Sequence, residues 1–244
     1  MAMTEELASD ALAPDRPSAN RLLAALPQAE YLRLLPRLTP VSLAQGQRVY
    51  DAHTSIPYVW FIERGVVSVI RAMQDGMLIE ICVIGCEGMV GLPVFLGSES
   101  TPSQALVQIP GTGLRMPTTT FRREVPPGSP LHDLLHRYTQ TLINQMAQGM
   151  VCNRMHSIAQ RCARWLLLTH DRAGSDQFPL TQQFLAQMLG VRRASVSTVA
   201  GRLQKAGLIR YSRGVITVLD RPGLEAAACE CYQVIEAEYD RLLG

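Results

Sequence analysis

The spacing of hydrophobic positions changes character along this chain. Short runs rich in Val, Ile, Tyr and Phe, punctuated by glycine, occupy residues 41–43, 58–62, 66–72, 78–84, 105–109 and 113–116. Such runs predict short strands. Gln74-Asp75-Gly76 is a hairpin-turn signal and Glu63-Arg64-Gly65 another. Six or more such strands point to a small double-sheet barrel of the jelly-roll kind. Ahead of them, residues 21–38 place leucines at helical spacing before Pro40, which predicts a helix or helix pair packed on the barrel. Between two of the runs, residues 85–101 enclose Met89, Val90, Leu92, Val94, Phe95 and Leu96 between Gly88, Gly91 and Gly97. A glycine-bounded short helix there would cap the barrel mouth, a natural place for a small ligand, unless its apolar residues simply plug the barrel.

Past residue 128 the period becomes helical. Ser129 suits an N-cap and Pro130 the first helical position, and Leu131, Leu135, Tyr138, Leu142, Gln145 and Gly149 then fall at alternating steps of four and three. That spacing predicts a coiled-coil seam between two copies of the chain; otherwise the β domain must cover the stripe. Residues 178–219 carry two more short helices. Thr181 can cap the first, which buries Phe184, Leu185, Met188 and Leu189 and breaks at Gly190; Val196, Val199, Ala200 and Leu203 line the second, which ends at Gly207. Strands at 208–211 and 215–219 follow, joined by Ser212-Arg213-Gly214. Two crossing helices and a hairpin make a winged helix-turn-helix. The outer face of its second helix presents Arg193, Ala194, Ser197, Thr198 and Gly201, flanked by Arg192 and Arg202. Small residues there let the backbone approach base edges, while arginines and hydroxyls supply donors for bases and phosphates. Finally, Asp220 can cap a last helix, with Pro222 near its start and Leu224, Cys231, Ile235 and Tyr239 on its apolar face.

Charge sharpens this reading. Residues 154–213 hold ten Lys or Arg against two acids, a net +8, whereas residues 1–128 hold ten against twelve, a net −2. The basic charge is therefore local, which suits duplex DNA as a partner. At 244 residues and 47% hydrophobic the chain can build two modest cores. Its acidic, Pro/Ala-rich start and the lack of a spanning apolar run predict a soluble cytoplasmic protein with no membrane partner. The six cysteines, at 82, 86, 152, 162, 229 and 231, show no paired metal-ligand blocks. Cys229 and Cys231, two apart on the expected last helix, would point in different directions, so neither a metal nor any other cofactor is expected. A metal enzyme in the barrel is disfavoured because His53 is the only histidine before His132, and the pair His132 and His136 falls on a helix where solvation suffices. A protein-binding adaptor that uses the winged domain as a scaffold is a second alternative.

The order of parts resembles the Crp/Fnr transcription regulators: YVWFIERGVVSVI is similar to that family's strand-glycine-strand signature, EGMVGLPVFLG to its ligand cassette, and LTQQFLAQMLGVRRASVSTVAGRLQKAGLI to its DNA-reading helices. The resemblance implies an α+β fold with a flexible lead-in over residues 1–18, a cyclic-nucleotide-binding-like jelly roll over 19–128, a dimerisation helix over 129–152 and a winged helix-turn-helix over 153–244. It also implies a homodimer on a pseudo-palindromic operator, with RNA polymerase as a further partner. Departures matter for mechanism. The cassette positions that bind ribose and cyclic phosphate in cyclic-AMP-binding members correspond here to Met89 and to Ser103-Gln104, so the candidate pocket of Met89, Leu92, Phe95, Ser103 and Gln104 offers a phosphate no cation. An effector other than a cyclic nucleotide is expected. No cysteine precedes Cys82, which disfavours the family's iron–sulfur route, and Cys82 or His53 are the candidate haem ligands. In the recognition helix, Ala194 and Thr198 stand where many members carry Glu and Arg. Arg193 is then the candidate base-edge contact, Ser197 and Thr198 the hydrogen-bonding or methyl contacts, and Thr181, Gln182, Arg202 and Arg213 the phosphate contacts; Arg192 and Ser195 complete the set.

Overall fold

A computed structural model describes residues 18–243. The lead-in expected over residues 1–18 lies outside them except for Ser18, which is buried and donates to Glu63. Helices α1 (Arg21–Ala24) and α2 (Gln28–Leu34) follow, with a 3₁₀ turn at Leu35–Arg37. Asn20 caps α1 and ties it to the barrel, donating to the carbonyls of Ile62 and Gly88 at 2.8 and 2.9 Å.

Among the described residues six strands make the β domain: β1 (Thr39–Leu43), β2 (Arg48–Tyr50), β3 (Tyr58–Ala72), β4 (Leu78–Ile84), β5 (Met89–Val90) and β6 (Gln104–Pro117). Two of them are longer than the glycine punctuation suggests. The Glu63-Arg64-Gly65 segment is no hairpin; it is an irregular corner inside the continuous β3, where register with β6 shifts. A Cβ on Gly65 would lie 2.6 Å from the Ile109 carbonyl oxygen, and one on Gly111 2.0 Å from that of Arg64. The glycines are needed for close backbone approach rather than for reversal. On either side of this corner the partners change: β1 and β5 pair with the outer halves of β6 and β3, and β2 and β4 with the other halves. Each bent pair thereby serves two leaves of an antiparallel jelly roll. The Gln74-Asp75-Gly76 turn does join β3 to β4, with Met73 N–H bonded to the Met77 carbonyl. Short α3 (Leu92–Phe95) sits between Gly91 and Gly97, and α4 (Thr118–Glu124) follows β6.

Helix α5 runs over Pro130–Met155, capped by Ser129 as expected. Its predicted seam is corrected by the structure: Leu131, Leu135, Tyr138, Leu142 and Gln145 are buried within their own chain, and Gly149 is half-buried. Tyr138 Oη donates to the Met89 carbonyl at 3.3 Å, in space a Cβ on Gly88 would fill. Gln145 donates to the Val83 carbonyl and accepts from Tyr239 at 2.6 Å. A heptad spacing reveals an apolar stripe but not what covers it, and here the β domain and the C-terminal helix do. A different set of α5 residues lies open: Ile143, Met150, Val151 and Met155 are 50%, 70%, 52% and 72% exposed.

Helix α6 (Ile158–Ala173) starts at a Ser157–Gln160 capping box, and strand β7 (Gln177–Pro179) leads into α7 (Gln182–Leu189), α8 (Arg193–Lys205), β8 (Ile209–Ser212) and β9 (Val215–Val218). Past the wing, the single predicted helix is two, α9 (Arg221–Ala227) and α10 (Cys231–Leu243), because the chain turns extended at Ala228. Arg172 of α6 joins the halves of the molecule. Its Nε lies 2.8 Å from Glu87, its Nη1 3.5 Å from Glu236, and both Arg172 and Glu87 are almost fully buried.

Candidate nucleic-acid interface

The helix pair forms for the local reasons read in the sequence. Thr181 Oγ1 accepts from Phe184 N–H at 3.1 Å, and Gly190 closes α7 in the left-handed region at φ 63°. Helix α8 buries Val196, Val199, Ala200 and Leu203. Its other face leaves Arg193, Ala194, Ser197, Thr198, Gly201 and Arg202 exposed, with Arg192 exposed at the N-cap and Ser195 half-buried beneath. No atom lies within 4 Å of where a Gly201 Cβ would stand, so the backbone there is open to approach.

Ser197 and Gln182 are brought together: Ser197 Oγ is 2.6 Å from Gln182 Oε1, linking the two helices at the surface. Thr198 Oγ1 donates back to the Ala194 carbonyl at 3.1 Å. Both hydroxyls are satisfied locally and would have to exchange those bonds for contacts to bases. The wing is tighter than expected. Ser212 pairs directly with Val215, leaving Arg213 and Gly214 as a two-residue turn at φ 51° and 76°. Positive φ at both central residues marks a type I′ hairpin, unusual for arginine. Leu180 N–H bonds the Gly214 carbonyl at 2.8 Å, which holds the wing tip beside Thr181. Gln204 reinforces this by accepting from Tyr211 N–H at 2.8 Å, a contact for which residue spacing offers no signal.

Among the described residues Arg192, Arg193, Arg202, Lys205, Arg210 and Arg213 make no ion pair with a carboxylate. Of the other members of the +8 segment, Arg154 is exposed at the end of α5, whereas Arg172 is in the buried pair and Arg161 donates to the Leu189 carbonyl. The charge that counts at the surface is thus concentrated on α8 and the wing. The tip of the β3–β4 hairpin, at Asp75 to Leu78, flanks the start of α8 across a cleft of about 650 Å³ that includes Arg192 and Arg193.

The model of the Crp-like helix-turn-helix domain matches residues 160–227. No curated protein sequence matches the chain. Among solved structures it is similar to FixK2 from Bradyrhizobium japonicum, at 17% identity over 79% of this chain and 98% of that one with a TM-score of 0.66. It is also similar to TTHB099, a transcriptional regulator of the CRP family from Thermus thermophilus (19%, 77% and 96%, 0.65), and to the c-di-GMP-responsive global regulator CLP of Xanthomonas campestris (15%, 79% and 99%, 0.62). The chain carries a Crp-like helix-turn-helix domain, and its fold is like that of solved regulators of the Crp/Fnr family.

In this Crp/Fnr-like fold the five expected pocket residues are packing residues. Met89 has no exposed surface, Leu92 and Ser103 are buried, Gln104 pairs in β6 opposite Ile70, and Phe95 packs edge-on against His132 and His136 at 5.3 and 5.0 Å. A cavity of about 530 Å³ lies elsewhere, between β4, α5 and α6, lined among others by Glu80, Cys82, Gln145, Arg164 and Trp165. Of the candidate haem ligands, His53 is exposed in a turn, while Cys82 is buried and its thiol is pushed up by burial. The cysteine expectation is overturned in its premise. Cys229 and Cys231 flank the break between α9 and α10 and, instead of diverging along one helix, converge with Cys152 and His156, the four ligand atoms lying within 4.8 Å of one another. No helix of the described residues is long and apolar enough to cross a membrane.

Proposed function

We propose that the protein is a sequence-specific DNA-binding transcription regulator that acts as a homodimer on a pseudo-palindromic operator, with RNA polymerase as the machinery it influences. The observation that carries this is the open face of α8 beside the wing, where arginines without carboxylate partners surround small and hydroxyl residues. Arg193 reads a base edge; Ser197 and Thr198 assist; Thr181, Gln182, Arg192, Ser195, Arg202 and Arg213 hold the backbone. The second copy docks on the uncovered face of α5. Ile143, Ala147 and Met150 are exposed at steps of four and three, with Val151 and Met155 alongside.

Control by something other than a cyclic nucleotide follows from the packed cassette. A buried phosphate among Met89, Leu92, Phe95, Ser103 and Gln104 would meet no cation in that set, and Arg115 of β6 lies over the Tyr58 and Trp60 rings at 4.4 and 5.5 Å. A ligand in the cavity beside β4 would instead act where the β domain meets α6. The direct test is fluorescence anisotropy on a selected operator and on random duplex over a salt series. Affinity should fall steeply with salt, with the selected site bound far more tightly at every point. Absence of binding at about 50 mM salt would favour the adaptor reading instead.

A further inference from the structure

We propose that Cys152, His156, Cys229 and Cys231 form a closed, four-coordinate site for a single zinc-like divalent ion. Cys152 Sγ and Cys229 Sγ are 3.4 Å apart, Cys231 Sγ and His156 Nδ1 are 3.5 Å apart, and all four atoms fall within 4.8 Å. A tetrahedral ion with bonds of about 2.3 Å to sulfur and 2.0 Å to nitrogen holds its ligand atoms roughly 3.5–3.8 Å from one another. The four side chains already stand near that spacing. Three sulfurs and an imidazole are a donor set that selects zinc over magnesium or calcium, and four protein ligands leave no open position, the pattern of a structural site.

The surroundings orient the ligands. His156 Nε2 lies 3.1 Å from a Glu230 carboxylate oxygen, so the other ring nitrogen is the one turned to the sulfurs, as in carboxylate–histidine–metal arrangements. Gln148 donates its amide N–H to Cys231 Sγ at 3.0 Å. The three cysteines form a small buried group separate from the main core. The guanidinium groups of Arg164 and Arg161 act electrostatically on these cysteines. A divalent ion displaces the thiol protons, and Arg164 and Arg161 then offset the excess thiolate charge.

Position gives the site a consequence. Cys152 and His156 stand just before residues 160–227, the Crp-like domain, and Cys229 and Cys231 just after. One ion therefore clasps both ends of that domain to the last turn of α5. Few sequence positions separate His156 from the start of α6, so the clasp also fixes the joint about which the domain would swing.

The test uses the untagged full-length chain, purified under reducing conditions, stripped of metal with a chelator and titrated with Co²⁺ and then Zn²⁺. One ion per chain should bind, and Co²⁺ should show the intense ligand-field and sulfur-to-metal charge-transfer bands of a tetrahedral thiolate site, displaced by Zn²⁺. The Cys229→Ser/Cys231→Ser double variant should weaken binding beyond the roughly 10–100-fold that losing an outer-shell partner costs, while His156→Cys should retain binding with a shifted spectrum. Wild-type protein supplies an independent readout that needs no variant: adding Zn²⁺ should protect Cys152, Cys229 and Cys231 from alkylation and leave the labelling of Cys82, Cys86 and Cys162 unchanged. Reduced wild-type protein that takes up no more Co²⁺ than the double variant, or gives only the weak spectrum of oxygen ligands, would overturn the proposal.

Discussion

Replacing Glu80 by glutamine should make the protein more stable above neutral pH and leave it unchanged in mild acid. Glu80 stands on β4 with Oε1 accepting from Trp165 Nε1 of α6 at 2.8 Å and Oε2 2.8 Å from Ser68 Oγ. Desolvation raises its pKa from 4.5 to about 7, against the lowering effect of those two hydrogen bonds and of Arg164 and Arg172. Ser68 has one hydroxyl proton, and Gln108 Oε1 sits 2.6 Å away to receive it. A protonated Glu80 completes that chain by donating to Ser68. Between pH about 4.5 and 7 the folded protein then holds a proton the unfolded chain has released, so stability falls as pH rises through that window and levels off above it. At 1.36 kcal/mol per pKa unit the full shift corresponds to about 3 kcal/mol. Glu80 keeps some exposed surface and lines the 530 Å³ cavity, where water lowers the cost of charge, so about 1–3 kcal/mol is expected. Glutamine keeps both contacts without a charge: its oxygen accepts from Trp165 and its amide donates to Ser68. Urea melts of wild type and Glu80→Gln at pH 4, 5, 6, 7 and 8 should give curves that coincide at pH 4 and separate progressively by pH 8. A difference that stays constant with pH, or a variant destabilised at pH 8, would show that Glu80 ionises in the folded protein as readily as in the unfolded chain.

Other substitutions probe the remaining elements. Arg193→Ala should lose roughly 1–3 kcal/mol on the cognate operator and relax base preference, whereas Arg213→Ala should weaken all duplexes about equally; equal losses for Arg193→Ala on specific and random DNA would reassign it to phosphate. Arg213→Asn should raise thermal stability by about 1 kcal/mol, because asparagine tolerates the left-handed turn position, and still reduce DNA affinity, opposite signs that a purely structural arginine could not produce. Ile143→Asp with Met150→Asp should give a folded monomer by light scattering with weakened operator binding; an unchanged dimer would move the interface off α5. Arg172→Met should cost about 3–5 kcal/mol by leaving the Glu87 carboxylate buried without its cation, and Glu87→Leu in the same chain should restore a large part of it.

The winged domain is legible because its signals are local. Thr181, Gly190 and Gly207 mark caps and turns that no distant contact has to explain, and the structure places each in that role. The barrel is legible only as strand-forming stretches. Gly65 and Gly111 announce unusual backbone, but a glycine that lets two strands approach looks the same in sequence as one that reverses the chain, so β3 and β6 each read as two strands. Strands β2 and β5, three and two residues long, are too short to show alternation at all. Helix α5 shows a different limit. It carries two apolar faces, and the steps of four and three in its most hydrophobic one describe packing on the β domain as faithfully as they describe a coiled coil.

The cysteines expose the strongest limit of periodicity. Taken as helical neighbours, Cys229 and Cys231 point apart, and that inference is sound for a helix; it fails because Ala228 leaves helical geometry and α10 begins only at Cys231. Nothing local announces the break, since Pro222 lies too early and Ala227-Ala228 favours continuation. The break brings both cysteines to the distant pair Cys152 and His156 on α5, along which α10 packs through Tyr239 and Gln145. The joint between α5 and α6 is short, and His156 occupies it. The β domain touches the winged domain through that joint and across the Arg172–Glu87 and Trp165–Glu80 contacts, which link α6 directly to the segment around β4, and a signal proposed to pass to α8 has those two routes. If the joint is clasped, the second route carries the larger share of any coupling, and loosening the buried pair should alter DNA affinity more when the four-ligand site is filled than when it is stripped.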